Sequence, residues 1–160
     1  MLSTILSKQS CAACKFCCSF RRQSLWETPL FPPEVVEKLS KPNEYGMVGE
    51  FRDGQIVLGG YKTGDPEEEV PCTFLNPNRG CILKPEDKPF DCSIWPLRVM
   101  NKDGQLVIAL TPTCPSIGAV PSQVLTELVK SDLGEKILVY AKSHPYIVKE
   151  YQVGFPIIYL

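Results

Sequence analysis

"SIWPLRVMNKDGQLVIALT", residues 93–111, decides the fold class. Two apolar runs flank Asp103-Gly104, a dipeptide suited to the positive φ values of a two-residue hairpin turn. The pattern predicts strands near 94–100 and 105–111, with Val107 to Leu110 forming a mostly apolar stretch. Upstream, "EYGMVGEFRDGQIVLGGYKT" (44–63) repeats the device around Asp53-Gly54 and predicts a second hairpin. Between the cysteines and this hairpin lies "TPLFPPEVVEKLSK" (28–41). Pro33 can occupy a helix's first position, where its missing N–H costs nothing, and Val35, Val36 and Leu39 then share a face. A short helix over 33–40 follows. Downstream, "PSQVLTELVKSDLGEKILVYAKS" (121–143) sets Val124, Leu125, Leu128 and Val129, then Ile137, Leu138 and Ala141, at helical spacing. Gly134 marks a joint or a close contact there, and the tail 144–160 suits either a helix or a strand. The expected fold class is α+β, a small domain with antiparallel hairpins and C-terminal helices.

The chain of 160 residues is expected to form one cysteine-cluster domain, with a motif core over about 11–118 and a helical part over about 121–152. Its formal net charge of −1 lacks the basic excess that phosphate neutralisation requires, so no nucleic-acid partner is expected. The opening "MLSTILSKQS" has no charged leader and no long apolar core, and no stretch reaches the roughly 20 apolar residues of a membrane span. A cytoplasmic location and no membrane partner are the expectation. In that compartment thiols stay reduced, and clustered cysteines read as metal ligands before disulfides.

Eight cysteines carry the chemistry: Cys11, Cys14, Cys17, Cys18, Cys72, Cys81, Cys92 and Cys114. The first four fall within "CAACKFCC" (11–18). On a helix at about 100° per residue, Cys11, Cys14 and Cys18 would fall within a ~60° arc, with Cys17 beside it. Three sulfurs could then share a centre and leave one position for a distant residue. "PCTFLNPNRGCIL" presents Cys72 and Cys81 across a turn through Asn76 to Gly80, and prolines flank or approach each later cysteine, which suits rigid loops.

Thiolate sets suit zinc or iron, as single ions or as an iron–sulfur cluster, and not magnesium or calcium. His144 is the one histidine and a weak ligand candidate, since a helix-end or surface histidine explains it as well. The net charge of −2 on a zinc tetrathiolate calls for N–H donors or cations nearby, and Lys15, Arg21, Arg22, Lys84 and Arg98 lie close to cysteines in sequence. "GDPEEE" (64–69) reads as a solvated loop, with Asp65 or Glu67 as hard-metal ligands the alternative. Trp26 and Trp95 read as core or rim residues. A redox dithiol at Cys11 and Cys14 would leave six sulfurs without a role.

The run C-x-x-C-x-x-C-C at Cys11–Cys18, followed by "CTFLNPNRGCIL", "KPFDCSIWP" and "TCPSIG", resembles the YkgJ-like cysteine-cluster family over residues 11 to about 118. The resemblance implies a zinc- or iron-chelating domain whose ligands are Cys11, Cys14, Cys17, Cys18, Cys72, Cys81 and Cys92, with Cys114 added by the later element. The sequence departs from the family's usual pattern at Lys88-Pro89, where Arg-Pro is common, at Trp95-Pro96, where Phe-Pro is common, and at Ser116, where a glycine follows. Lysine keeps the charge of arginine but loses the planar fork. The expectation is a metal-binding protein with a largely structural or chelating centre. The alternative is a [4Fe-4S] protein acting in redox chemistry or within a protein-modifying enzyme system. No nucleotide fingerprint and no serine–histidine–acid set is present, so no catalytic residue is assigned and enzymatic activity stays open. The protein partner is unknown.

Overall fold

The computed structural model describes residues 19–21, 28–111 and 120–160. They form a small α+β domain with antiparallel sheets and a C-terminal helix. Both Asp-Gly turns form as the sequence predicts. Asp53 and Gly54 take φ of 51° and 79°, and Asp103 and Gly104 take 52° and 85°, the left-handed pair that a two-residue hairpin requires. The first turn joins β2 (Glu50–Arg52) to β3 (Gln55–Val57). The second joins β7 (Leu97–Lys102) to β8 (Gln105–Leu110), in register from Leu97↔Leu110 to Lys102↔Gln105.

β7 begins later than the expected residue 94. Pro89 opens a short helix, α2 (Phe90–Ser93), and Ile94 closes it by donating its N–H to the Phe90 carbonyl. Three-residue strands β1 (Ser19–Arg21) and β4 (Glu69–Pro71) pair antiparallel, with Ser19 opposite Pro71. β5 (Leu75–Asn76) and β6 (Gly80–Cys81) flank the turn between the cysteines. The ambiguous tail resolves into strands: β9 (Lys149–Glu150) lies parallel to β7, and β10 (Ile157–Tyr159) pairs antiparallel with β8. The four-stranded sheet, in order β10-β8-β7-β9, is therefore mixed.

The first helix, α1 (Pro33–Leu39), starts on Pro33 and buries Val35 and Leu39 against Phe31, Ile56 and Phe74. The C-terminal helix runs through α3 (Ser122–Leu128), one wide π-turn (Val129–Leu133) and α4 (Gly134–Ser143). It stops at His144 and not near 152, because the residue before Pro145 is pushed out of the helical region. Leu125, Val129, Ile137 and Ala141 are buried against Leu97, Val99 and Ile108, whereas Val124 is exposed. Alternation along β7 puts Arg98 and Met100 on the opposite side of the sheet from Leu97 and Val99. That second side carries the cysteine segments. Among the described residues no helix is long and apolar enough to cross a membrane.

Gly134 is both a joint and a close contact. Its N–H closes the π-turn on the Val129 carbonyl, and a Cβ there would come within 2.6 Å of that oxygen and 3.0 Å of the Tyr159 ring. In an ordinary helix, alanine is better than glycine by about 1 kcal/mol. Here Gly134→Ala is expected to destabilise by about 1–3 kcal/mol in urea unfolding, because backbone oxygen has to move. An unchanged or raised midpoint would contradict the contact.

α1 is tied to the loop before α2 through Asp87, which is buried and accepts hydrogen bonds from Lys38 Nζ (2.6 Å) and the Tyr45 hydroxyl. Burial alone would raise the Asp87 pKa, but these hydrogen bonds, Lys38 foremost, outweigh it and hold the carboxyl below its ordinary value. A depressed folded-state pKa gives stability that is present above the ordinary carboxylate range and lost as pH falls through the depressed value. Asp87→Asn is expected to flatten the acid limb of a stability-against-pH curve. An acid limb as steep as the parent's would assign that loss to other carboxylates.

Candidate metal centre

Three of the predicted ligands are described, and all three line one cavity. Cys72, Cys81 and Cys92 share its wall with Lys88, Trp95 and Arg98, closed on the apolar side by Phe20, Phe31 and Leu83 around a volume of about 40 Å³. Each cysteine arrives on a different local device. Cys72 follows β4 and opens a turn in which its carbonyl accepts the Leu75 N–H at 3.0 Å. In the same turn the backbone N–H of Phe74 is directed at the Cys72 sulfur, the arrangement that stabilises a thiolate. Cys81 sits on β6 opposite Leu75, and the next residue, Ile82, donates its N–H to the Phe74 carbonyl at 3.0 Å. Cys92 lies in α2, its N–H on the Pro89 carbonyl at 3.0 Å. All three are free thiols.

Burial disfavours the free thiolate at two of the three cysteines, Cys72 and Cys92. Burial pushes the Cys72 thiol up to about 11, opposed by the Phe74 N–H and reinforced by Cys81. Burial also pushes Cys92 far up, while the Arg98 guanidinium pulls it back and Cys72, Asp91 and Cys81 add to the rise. Without a metal these groups hold their protons at neutral pH. A soft cation that displaces the protons converts the same sulfurs into strong ligands.

Behind the cysteines lies a buried polar layer that the sequence did not reveal. Arg98, 1% exposed, donates through Nη1 to the Asp91 carbonyl at 2.6 Å and to the Leu97 carbonyl at 3.2 Å. Its guanidinium also lies 4.4 Å from the centre of the Trp95 ring. The Asp91 carboxylate is fully buried. Its Oδ2 accepts the Leu30 N–H at 3.1 Å and stands 3.8 Å from Lys149 Nζ, while Oδ1 has no hydrogen-bond partner. Lys149 donates to the Thr28 carbonyl at 3.1 Å, and burial lowers its pKa against the opposing pull of Asp91. Asp91 next to Cys92 was a visible but unused signal. Lys149 was another: in the strand-like "YIVKEY" it falls two residues after the buried Ile147, on the same phase.

The other predicted residues divide clearly. Cys11, Cys14, Cys17, Cys18 and Cys114, with Lys15, Arg22, Trp26 and Ser116, lie outside the described residues. Arg98 joins the cavity, but Arg21 pairs with Glu67 at 2.9 Å and Lys84 with Glu44 at 2.5 Å. His144 does not line the cavity; it stacks on Tyr140 at 4.0 Å with Nδ1 3.0 Å from the Tyr140 carbonyl. The acidic loop satisfies itself. Asp65 Oδ1 accepts the Glu67 N–H, and the Glu68 carboxylate accepts the N–H groups of Lys62 and Thr63. Trp95 is a wall of the cavity, more than the core or rim residue its sequence context suggested.

Among the described residues, no three His, Cys, Asp or Glu side chains are arranged to hold a metal ion by themselves. The donor set nonetheless has one character: among the described residues that line the cavity, the candidate ligands are cysteines, with no carboxylate or imidazole. Such a set fits zinc or iron and excludes hard cations. No protein-family model, curated protein or solved structure matches this chain.

Proposed function

We propose that the chain is a metal-binding protein that holds zinc or iron through cysteine thiolates, as its resemblance to the YkgJ-like cysteine-cluster family implies. The observation that carries this reading is the convergence of Cys72, Cys81 and Cys92, from a turn, a strand and a helix, on one cavity with Arg98 in its wall. Gathering three half-buried thiols beside a buried guanidinium serves no packing need that aliphatic side chains would not meet better. It serves a centre whose ligands carry negative charge.

The remaining sulfurs come from the N-terminal C-x-x-C-x-x-C-C run and from Cys114. Chain connectivity supports this. Cys18 is bonded to Ser19, Ser19 pairs with Pro71, and Pro71 is bonded to Cys72. Cys114 follows Thr111 by three residues, and Thr111 is held to the Pro96 carbonyl by both its N–H and its hydroxyl at 3.0 Å. The ion supplies a rigid cross-link of the early segment to the sheet. Phe74 N–H, Arg98 and Lys88 supply donors and positive charge around the sulfurs, and the apolar wall keeps water out. A structural or chelating role in a reducing, cytoplasmic setting fits this division of labour, with metal as the partner and neither nucleic acid nor membrane engaged.

Protein purified without oxygen is expected to carry stoichiometric metal, and a chelator is expected to lower its unfolding midpoint. Colourless zinc protein and brown protein containing iron and acid-labile sulfide separate the single-ion centre from a [4Fe-4S] cluster. Cys81→Ser and Cys92→Ser are each expected to lose metal and stability together. Parent protein that retains no metal, or a Cys81→Ser variant that stays fully loaded, would contradict the assignment.

A further inference from the structure

We propose that the Trp95 indole N–H donates a hydrogen bond to a metal-bound thiolate of the cysteine centre, an inference that rests on the metal reading above. Trp95 Nε1 is buried and has no hydrogen-bond partner. Buried N–H donors are nearly always paired in folded proteins, so an orphan beside a cavity marks a missing acceptor. The ring lines the same cavity as Cys72, Cys81 and Cys92, so sulfur is the available acceptor type. Among the described residues, Asp91 Oδ1 is a buried side-chain acceptor without a partner, but Asp91 is not part of the cavity wall.

The indole is also pre-positioned. The Arg98 guanidinium lies over its face at 4.4 Å, and Arg98 is itself fixed on the carbonyls of Asp91 and Leu97. A protonated thiol is a poor acceptor, whereas a thiolate accepts a charge-assisted hydrogen bond. The orphan donor is met once a thiolate of the centre stands within its reach. The Phe74 N–H directed at the Cys72 sulfur is the same device built from backbone. Trp95 is a positioning residue on these terms, and the sulfur's share of the centre's negative charge is what it answers.

The test uses the full chain, labelled with ¹⁵N and loaded with ¹¹³Cd²⁺ in place of zinc. The Trp95 indole cross-peak is identified by its loss in Trp95→Phe. On loading, this proton is expected to move downfield and to show a coupling to cadmium through the sulfur. Trp95→Phe is expected to weaken zinc binding roughly tenfold. An indole proton that is unmoved and uncoupled would overturn the inference while leaving the metal reading intact. So would a Trp95→Phe variant that binds zinc as tightly as the parent. A parent chain that takes up neither cadmium nor zinc would overturn both.

Discussion

Arg98 is the hinge of this structure. Its side chain leaves β7 on the side of the sheet away from the C-terminal helix, and almost none of it reaches water. Burying a guanidinium is costly unless its donors are met and its charge is answered. Two backbone carbonyls, of Asp91 and Leu97, meet part of that demand, and the Trp95 ring covers one face. The rest of the layer is arranged around it: α2 is held against the sheet through Asp91, Lys149 brings in β9, and the cysteines stand at the open side. A cation in this position makes chemical sense of thiols that burial otherwise keeps protonated.

The two sides of the central sheet do different work. One side is packed with aliphatic residues against the long helix, and it needs nothing beyond burial to be stable. The other side holds Arg98 and the cysteine cavity beside a smaller apolar cluster of Met100, Val107 and Ala109. Strands of two or three residues, such as β1, β4, β5 and β6, bury too little to stand alone. A cross-link through metal would supply to these pieces what a larger core supplies elsewhere. The same logic accounts for the proline-rich, turn-rich character of the cysteine segments, where rigidity replaces length.

Much of the framework was legible because local chemistry decides it. Asp53-Gly54 and Asp103-Gly104 permit only a narrow set of turns, Pro33 opens a helix, and the apolar spacing from Leu125 to Ala141 continues through the π-turn without losing its face. What was not legible depends on distant partners. The pairing of Ser19 with Pro71 joins segments with no shared pattern, and the parallel alignment of β9 with β7 gave the tail no local signature. The start of β7 was misplaced because Pro89 opens a turn of helix that the apolar run conceals. At the site, Cys72, Cys81 and Cys92 stood out in the sequence, and they share one cavity. Asp91 and Lys149 did not, since charged residues in sequence look like surface until a structure buries them.

X-ray absorption at the metal edge of the loaded chain tests the central claim most directly, because it counts the atoms around the ion. The account predicts a shell of about four sulfurs near 2.3 Å, with no nitrogen or carboxylate oxygen, for a single zinc. For an iron–sulfur cluster it predicts sulfur and iron neighbours only. A first shell dominated by oxygen or nitrogen would contradict it, since among the described residues the cavity's candidate ligands are thiols.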